Sequence, residues 1–235
     1  MKTLLIILAA GLWIGASTAS AQVLIANALD RTPAETVTQT ALVATVGTTN
    51  SANLGAGWTA SNTFVGVASS QTLTLNPGIA NDSGGLFQIA QSGLAGVAGS
   101  FSATKAFTGI TLLDNTTYNL TISGNSSSTV AILSALNVNI LVNGGVVYQT
   151  PTSTLLGLLD QTATESFVFS FTTGDVDNVQ PVNVQIAGGT LVGALGQSAS
   201  LTKINLAVAP VPEPGSLLLF LTGIAAIMRR QRPRR

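Results

Sequence analysis

Large apolar residues recur at every second position in six stretches of the chain. Leu73 and Leu75 alternate with Thr72 and Thr74, Tyr118, Leu120 and Ile122 with Asn119 and Thr121, and Val138, Ile140 and Val142 with Asn139 and Leu141. The same period runs through Phe167, Phe169 and Phe171, through Val182, Val184 and Ile186, and through Ile204, Leu206 and Val208. A period of two turns one set of side chains to a core and leaves Thr, Asn, Ser or Gln outside, the pattern of half-buried antiparallel strands. Turn residues fall between the runs. Asn143-Gly144-Gly145 reads as a tight hairpin, and Gly188-Gly189, between Ile186 and Leu191, reads likewise. Asn81 to Gly85 and Ser123 to Ser128 read as loops. The one helix-like patch, Thr154 to Leu159, is too short to shape a fold. Strands at this spacing without long helices between them predict an all-β chain, a two-sheet antiparallel β-sandwich of jelly-roll type.

Composition agrees and narrows the chemistry. Charged residues are 8% of the 235 and hydrophobic ones 46%, against about 25% charged in ordinary globular proteins. A chain this apolar and this weakly charged is not read as disordered. The net charge of zero hides a segregation. Five of the nine basic residues lie in the last seven positions and Lys2 is near the start, so three cations face eight acids between residues 22 and 211, a net of −5. A mildly acidic body argues against nucleic acid as a partner, since that binding rests on neutralising phosphates. With no Cys and no His, zinc sites, Ser-His-Asp triads and Cys-His pairs are excluded by count.

Both ends depart from the strand pattern. Met1-Lys2-Thr3 precedes an 11-residue apolar run, Leu4 to Ile14, and then Gly15 to Ala21, all small residues. This is the layout of a secretory signal peptide. An 11-residue helix reaches only about 16 Å, half of a hydrocarbon core, so the segment is too short to anchor. Ala19 and Ala21 take the positions where signal peptidase needs small side chains, and Gln22 is expected to begin the mature chain. At the other end, Pro212-Glu213-Pro214 is held extended by its prolines. It precedes an apolar stretch, Leu217 to Met228, and then the cluster that includes Arg229, Arg230 and Arg232. The arginines are expected to stay on the cytoplasmic side and act as the membrane stop for a helix that barely spans.

The order of Pro212-Glu213-Pro214, a Leu-rich stretch and terminal arginines resembles the PEP-CTERM sorting signal of Gram-negative bacteria. The resemblance implies recognition by a membrane exosortase, removal of the tail near the motif, and transfer to the cell surface or exterior, in systems associated with exopolysaccharide and biofilm. A plain membrane anchor with a stiff Pro-Glu-Pro linker is the alternative. The strand order of the body resembles galactose-binding-like jelly rolls in pattern. It departs from them where Lys203-Ile204-Asn205-Leu206 stands in place of their aspartate-containing terminal strand.

Few residues of the body suggest a site. Trp58, flanked by Gly55, Gly57 and Thr59, reads as core packing or, if exposed, as a platform for a sugar ring. Tyr148 reads the same way. Asp175 and Asp177 alternate in a loop as calcium ligands do, but without a glutamate at the spacing of a calcium loop they also read as a solvated turn. Asp160 and Glu165 are the nearest acid pair of the kind glycoside hydrolysis uses, and read as surface charges. The expected organisation is a signal peptide at 1–21, a β-sandwich at 22–209 and a sorting tail at 210–235. The expected function is that of an exported structural protein of the envelope or exopolysaccharide matrix, neither an enzyme nor dependent on a cofactor. Its partner is an exosortase-type peptidase, with the membrane before processing and exopolysaccharide as a further candidate. The alternative is a non-catalytic carbohydrate-binding module.

Overall fold

In a computed structural model, the structure describes residues 21–37, 39–79, 85–126, 133–159, 163–175, 181–190 and 197–210. Thirteen strands and one helix are formed by these residues: β1 (Val23–Ile25), β2 (Asp30–Arg31), β3 (Thr40–Thr45), β4 (Thr48–Gly55), β5 (Trp58–Asn76), β6 (Gly78–Ile79), β7 (Leu86–Phe107), β8 (Thr117–Ser126), β9 (Leu133–Val142), β10 (Gly145–Gln149), α1 (Thr152–Leu159), β11 (Glu165–Thr172), β12 (Val182–Thr190) and β13 (Gln197–Val208).

Two long strands organise the rest. β5 and β7 pair with each other along almost their whole length, and each half of the pair recruits different neighbours. Residues 58–65 and 98–105 belong to one arm, in the order β4-β5-β7-β12-β9-β10. Residues 70–76 and 86–92 belong to the other, in the order β3-β5-β7-β13-β8-β11. A register shift between Val65 and Gly66 marks the passage from one arm to the other. Such a bulge bends a strand and sharpens its twist. The bend is large, because the Asn62 side-chain amide donates to the Gln71 carbonyl at 3.2 Å, whereas nine extended residues would separate them by about 30 Å. The two arms therefore face each other as the layers of an antiparallel β-sandwich, as the sequence pattern predicts.

The predicted inward faces are the core. Leu73, Leu75, Tyr118, Leu120, Ile122, Val138, Ile140, Val182, Val184 and Ile186 are fully buried. Ile204, Leu206, Phe169 and Phe171 are buried with them. Trp58 and Phe87 meet across the layers with ring centroids 6.3 Å apart. β9 is an exception to simple alternation, since Asn139 and Leu141 on its other face are buried too. The Asn143-Gly144 hairpin forms as expected, with φ of 52° and 77° at its two central residues, the signs a type I′ turn requires.

Three expectations are corrected. Gly188-Gly189 is not a turn but part of β12, paired on both sides with β7 and β9. A Cβ on Gly188 would lie 2.3 Å from the Ala135 carbonyl oxygen and 3.0 Å from the Phe101 ring. Glycine is there so that backbone and ring can approach. Ser123 to Ser126 is likewise strand, the end of β8, and Ser123 satisfies its hydroxyl against Ser166 Oγ across the sheet at 2.7 Å. The helix-like patch is an eight-residue helix, α1, that drops Leu155 into the core.

Candidate functional site

The expected processing points lie at or beyond the edges of the described residues. Ala21 and Gln22 are exposed and directly precede β1. Ala19, the motif Pro212-Glu213-Pro214, and Arg229, Arg230 and Arg232 lie outside the described residues. Among the described residues no helix is long and apolar enough to cross a membrane.

Trp58 sits after a turn in which Gly55, Ala56 and Gly57 all have positive φ, of 84°, 50° and 79°. The turn delivers the indole inward. It is fully buried and its Nε1 donates to the Ala28 carbonyl at 3.1 Å, so Trp58 as a sugar platform is corrected: no face of the ring is left for a ligand. Tyr148 is half-buried, and its ring lies parallel to that of Phe171, centroids 4.4 Å apart and planes 8° apart. This stack joins β10 of one layer to β11 of the other, and burial pushes the Tyr148 hydroxyl pKa above its ordinary value. Asp175 is exposed just after β11, and Asp177 lies outside the described residues. Among the described residues no three acids, cysteines or histidines gather as a metal site would require.

Two arrangements carry polar chemistry that alternation did not point to. The first is the seat of Lys105. Its ammonium donates to the Ala28 carbonyl at 3.2 Å and the Asp30 carbonyl at 2.7 Å, and stands 5.2 Å from the centre of the Phe107 ring. Burial lowers its pKa, and the charges of Glu35 and Asp30 oppose that shift. Asn27 completes the fastening of the N-terminal segment. Its Oδ1 accepts from Leu29 N at 3.2 Å and from Ile204 N at 3.1 Å, and its Nδ2 donates to Asp30 Oδ1 at 3.0 Å. Only three cations occur in the whole body, so a lysine inside an otherwise uncharged strand was the available signal. An ammonium engaged by two main-chain carbonyls is a structural tie rather than a nucleophile.

The second is a row across four strands. Asn139 Nδ2 donates to Gln185 Oε1 at 2.9 Å, Gln185 Nε2 to Thr104 Oγ1 at 3.5 Å, and Thr59 Oγ1 to the Thr104 carbonyl at 3.4 Å. These four residues are register partners on β9, β12, β7 and β5. Beside them Ser61 and Ser102 share a hydrogen bond of 3.1 Å. The row offers amides and hydroxyls, without an ionisable group.

No curated protein sequence matches the chain. Among solved structures it is similar to a Stig cyclase from Fischerella sp. TAU, at 12% identity and TM-score 0.47, over 82% of this chain and 100% of that one. It is also similar to the MgGH51 α-L-arabinofuranosidase, at 14% identity and TM-score 0.39, over 82% of this chain and 27% of that one. A carbohydrate-binding module of the β-sandwich superfamily is a third, at 16% identity and TM-score 0.40, over 64% of this chain and 56% of that one. The family model that matches is the PEP-CTERM protein-sorting motif, over residues 210–235. Those residues are a PEP-CTERM protein-sorting motif, which marks the chain as an exported protein sorted by an exosortase.

Proposed function

We propose that the mature protein is a non-catalytic structural or adhesive component of the cell surface or exopolysaccharide matrix, released there after a cut near Pro212-Glu213-Pro214. The observation that carries the reading is the sorting motif at residues 210–235 following directly on β13 of a β-sandwich. The tail holds the chain in the membrane until the exosortase acts, and the sandwich is the part delivered. Intact-mass analysis of the protein from its native host, fraction by fraction, tests this. Wild type is expected outside the membrane without its tail, and Glu213→Ala is expected to remain membrane-bound and uncut. Full-length wild-type protein in the membrane, with residues 217–235 intact in most molecules, would decide for a plain anchor.

A second reading, a carbohydrate-binding module, is favoured by the half-buried Gln185 and Thr104 and the exposed Thr59 of that row, whose uncharged amide and hydroxyls suit a neutral glycan. Binding of the mature protein to a glycan array, lost on Gln185→Ala with the fold intact, would support it. An array without signal would leave the structural role alone.

A further inference from the structure

β11 is an outer strand of its layer. It pairs with β8 on one side in eight consecutive register pairs, from Glu165↔Gly124 to Thr172↔Thr117, without a bulge. No described strand pairs with its other side. About half of its N–H and C=O groups therefore point out of the sheet, a template for another strand. The usual protections are absent, for the strand has no proline, no lysine and a single acid at its first residue. The other outer strands differ. β10 is interrupted at its middle by a register shift, and β4 keeps register for six pairs before it shifts at Gly55.

The sequence of this edge names its partner. Residues 164–172 read Thr-Glu-Ser-Phe-Val-Phe-Ser-Phe-Thr, a near-palindrome centred on Val168. We propose that two copies of this chain pair antiparallel through β11, with Val168 of each on the two-fold axis. Ser166 then faces Ser170 of the second copy, Phe167 faces Phe169, and Thr164 faces Thr172. Only Glu165, opposite Phe171, breaks the symmetry, and the two Glu165 carboxylates fall at opposite ends of the pair, where like charges do not meet.

Parity makes this pairing possible. A two-fold axis normal to a sheet must bring inward residues opposite inward ones, because a shift of one position turns every side chain over. A palindrome centred on a residue meets this condition. On β11 the exposed Ser166, Val168 and Ser170 match one another, as do Phe167 and Phe169 on the inner side. The strand β3, Thr-Ala-Leu-Val-Ala-Thr, is also symmetric, but about the bond between Leu42 and Val43. Buried Leu42 would face exposed Val43 there, which disqualifies it. The cross-strand pairs needed are of kinds the molecule already makes on β11, Ser123 with Ser166 at 2.7 Å and Thr117 with Thr172 at 3.0 Å. Such an interface is isologous and closes on itself, giving a dimer with one layer continuous through both copies.

The absence of cysteine makes the test direct. In the full-length chain Val168→Cys puts two thiols opposite each other, at a Cβ separation of about 4.5–5.5 Å in such pairs, close to disulfide range. Mild oxidation is expected to give at least ten times more covalent dimer than Val65→Cys, an equally exposed valine on β5. Val168→Lys places two ammoniums on the axis and is expected to weaken self-association in sedimentation equilibrium at least tenfold, with the β-sheet signal in circular dichroism kept. Equal cross-linking of the two cysteine variants, or a dimer that survives Val168→Lys, would overturn the pairing. Neither result depends on whether the tail is cut.

Discussion

Gly188 on β12 runs so close to Ala135 on β9 that a methyl group placed on it would stand 2.3 Å from the Ala135 carbonyl oxygen. The obstacle is backbone, and Gly188 is itself held on both sides by register pairs with Phe101 and Leu136, so the contact cannot be relieved as it would be by a long side chain moving aside. Gly188→Ala is expected to destabilise the sandwich by about 1–3 kcal/mol or more, as overpacking does. Gly174→Ala, where nothing lies within 4 Å of the added carbon, is the control and should leave the urea midpoint within experimental scatter. A neutral Gly188→Ala would mean that β12 and β9 are not paired there.

Trp58 gives a second test, because of its two sequence readings the structure keeps core packing and not the sugar platform. Trp58→Phe removes the indole N–H that reaches Ala28 and part of a fully buried side chain. The Ala28 carbonyl keeps the Lys105 ammonium as a donor, so the loss is mainly one of packing, roughly 1–3 kcal/mol. Thermal unfolding reads it directly. Any glycan affinity of the folded variant should match wild type, since the ring is not a binding surface.

The contrast between Trp58 and the alternating runs shows which parts of the fold the residues announce. Tyr118-Leu120-Ile122 and Val182-Val184-Ile186 declare their strands because each has a large apolar side on one face only. Residues 58–65 of β5 and 98–105 of β7 do not, unlike the Leu73-Leu75 end of β5. Their inner faces carry Ala60, Asn62, Phe64, Phe101 and Ala103, small or polar side chains among the aromatics, and hydropathy cannot separate such faces from the Ser and Thr outside. Gly188-Gly189 and Ser123 to Ser126 misled for a related reason. Glycine and serine mark turns when the chain reverses, and also mark places where neighbouring strands must come close or satisfy one another. The position of Trp58 follows from three successive positive φ values, a property of the turn that two glycines hint at without fixing its direction. The sorting tail is the reverse case. Its reading needs no tertiary contact, since a fixed order of Pro-Glu-Pro, apolar residues and arginines carries it.

Lys105 makes stability depend on pH in a defined direction. Its pKa in the folded protein is below 10.5, with burial as the main cause, so between that lowered value and 10.5 the unfolded chain binds more protons than the folded one. Stability must then rise with pH across this window. The urea midpoint of wild type is expected to climb as pH is raised from neutral toward 10, and that of Lys105→Met to stay flatter. Tyr148 acts the other way and later. Its raised pKa gives stability that is complete below 10.0 and is lost as pH climbs through the higher folded value, so readings taken below pH 10 isolate the lysine. A wild-type curve parallel to that of Lys105→Met would show that the ammonium is not buried against Ala28 and Asp30.

The segment from Val23 to Ala28 is tied to the last strand, and with the proposed cut before Gln22 this would constrain the order of maturation. Val23 is the register partner of Ala207. Further along, Ala28 N donates to the Ile204 carbonyl at 2.8 Å and Asn205 Nδ2 to the Ala26 carbonyl at 3.1 Å. With Gln22 as the first mature residue, a single residue separates the cut from β1. A peptidase that holds an extended chain on both sides of the bond cannot reach it while Val23 is paired, so signal removal should precede closure of β1 on β13. β13 is also made after the rest of the sandwich, which leaves time for the cut. Ala21→Phe fills the position that needs a small side chain and is expected to leave residues 1–21 on the protein, visible in its intact mass. Asn27→Ala, which removes one of the segment's two hydrogen bonds to Ile204, should cost about 1–2 kcal/mol of stability yet leave cleavage complete. Wild-type protein whose N-terminus is not Gln22 would refute the site, and impaired cleavage in Asn27→Ala would refute the order.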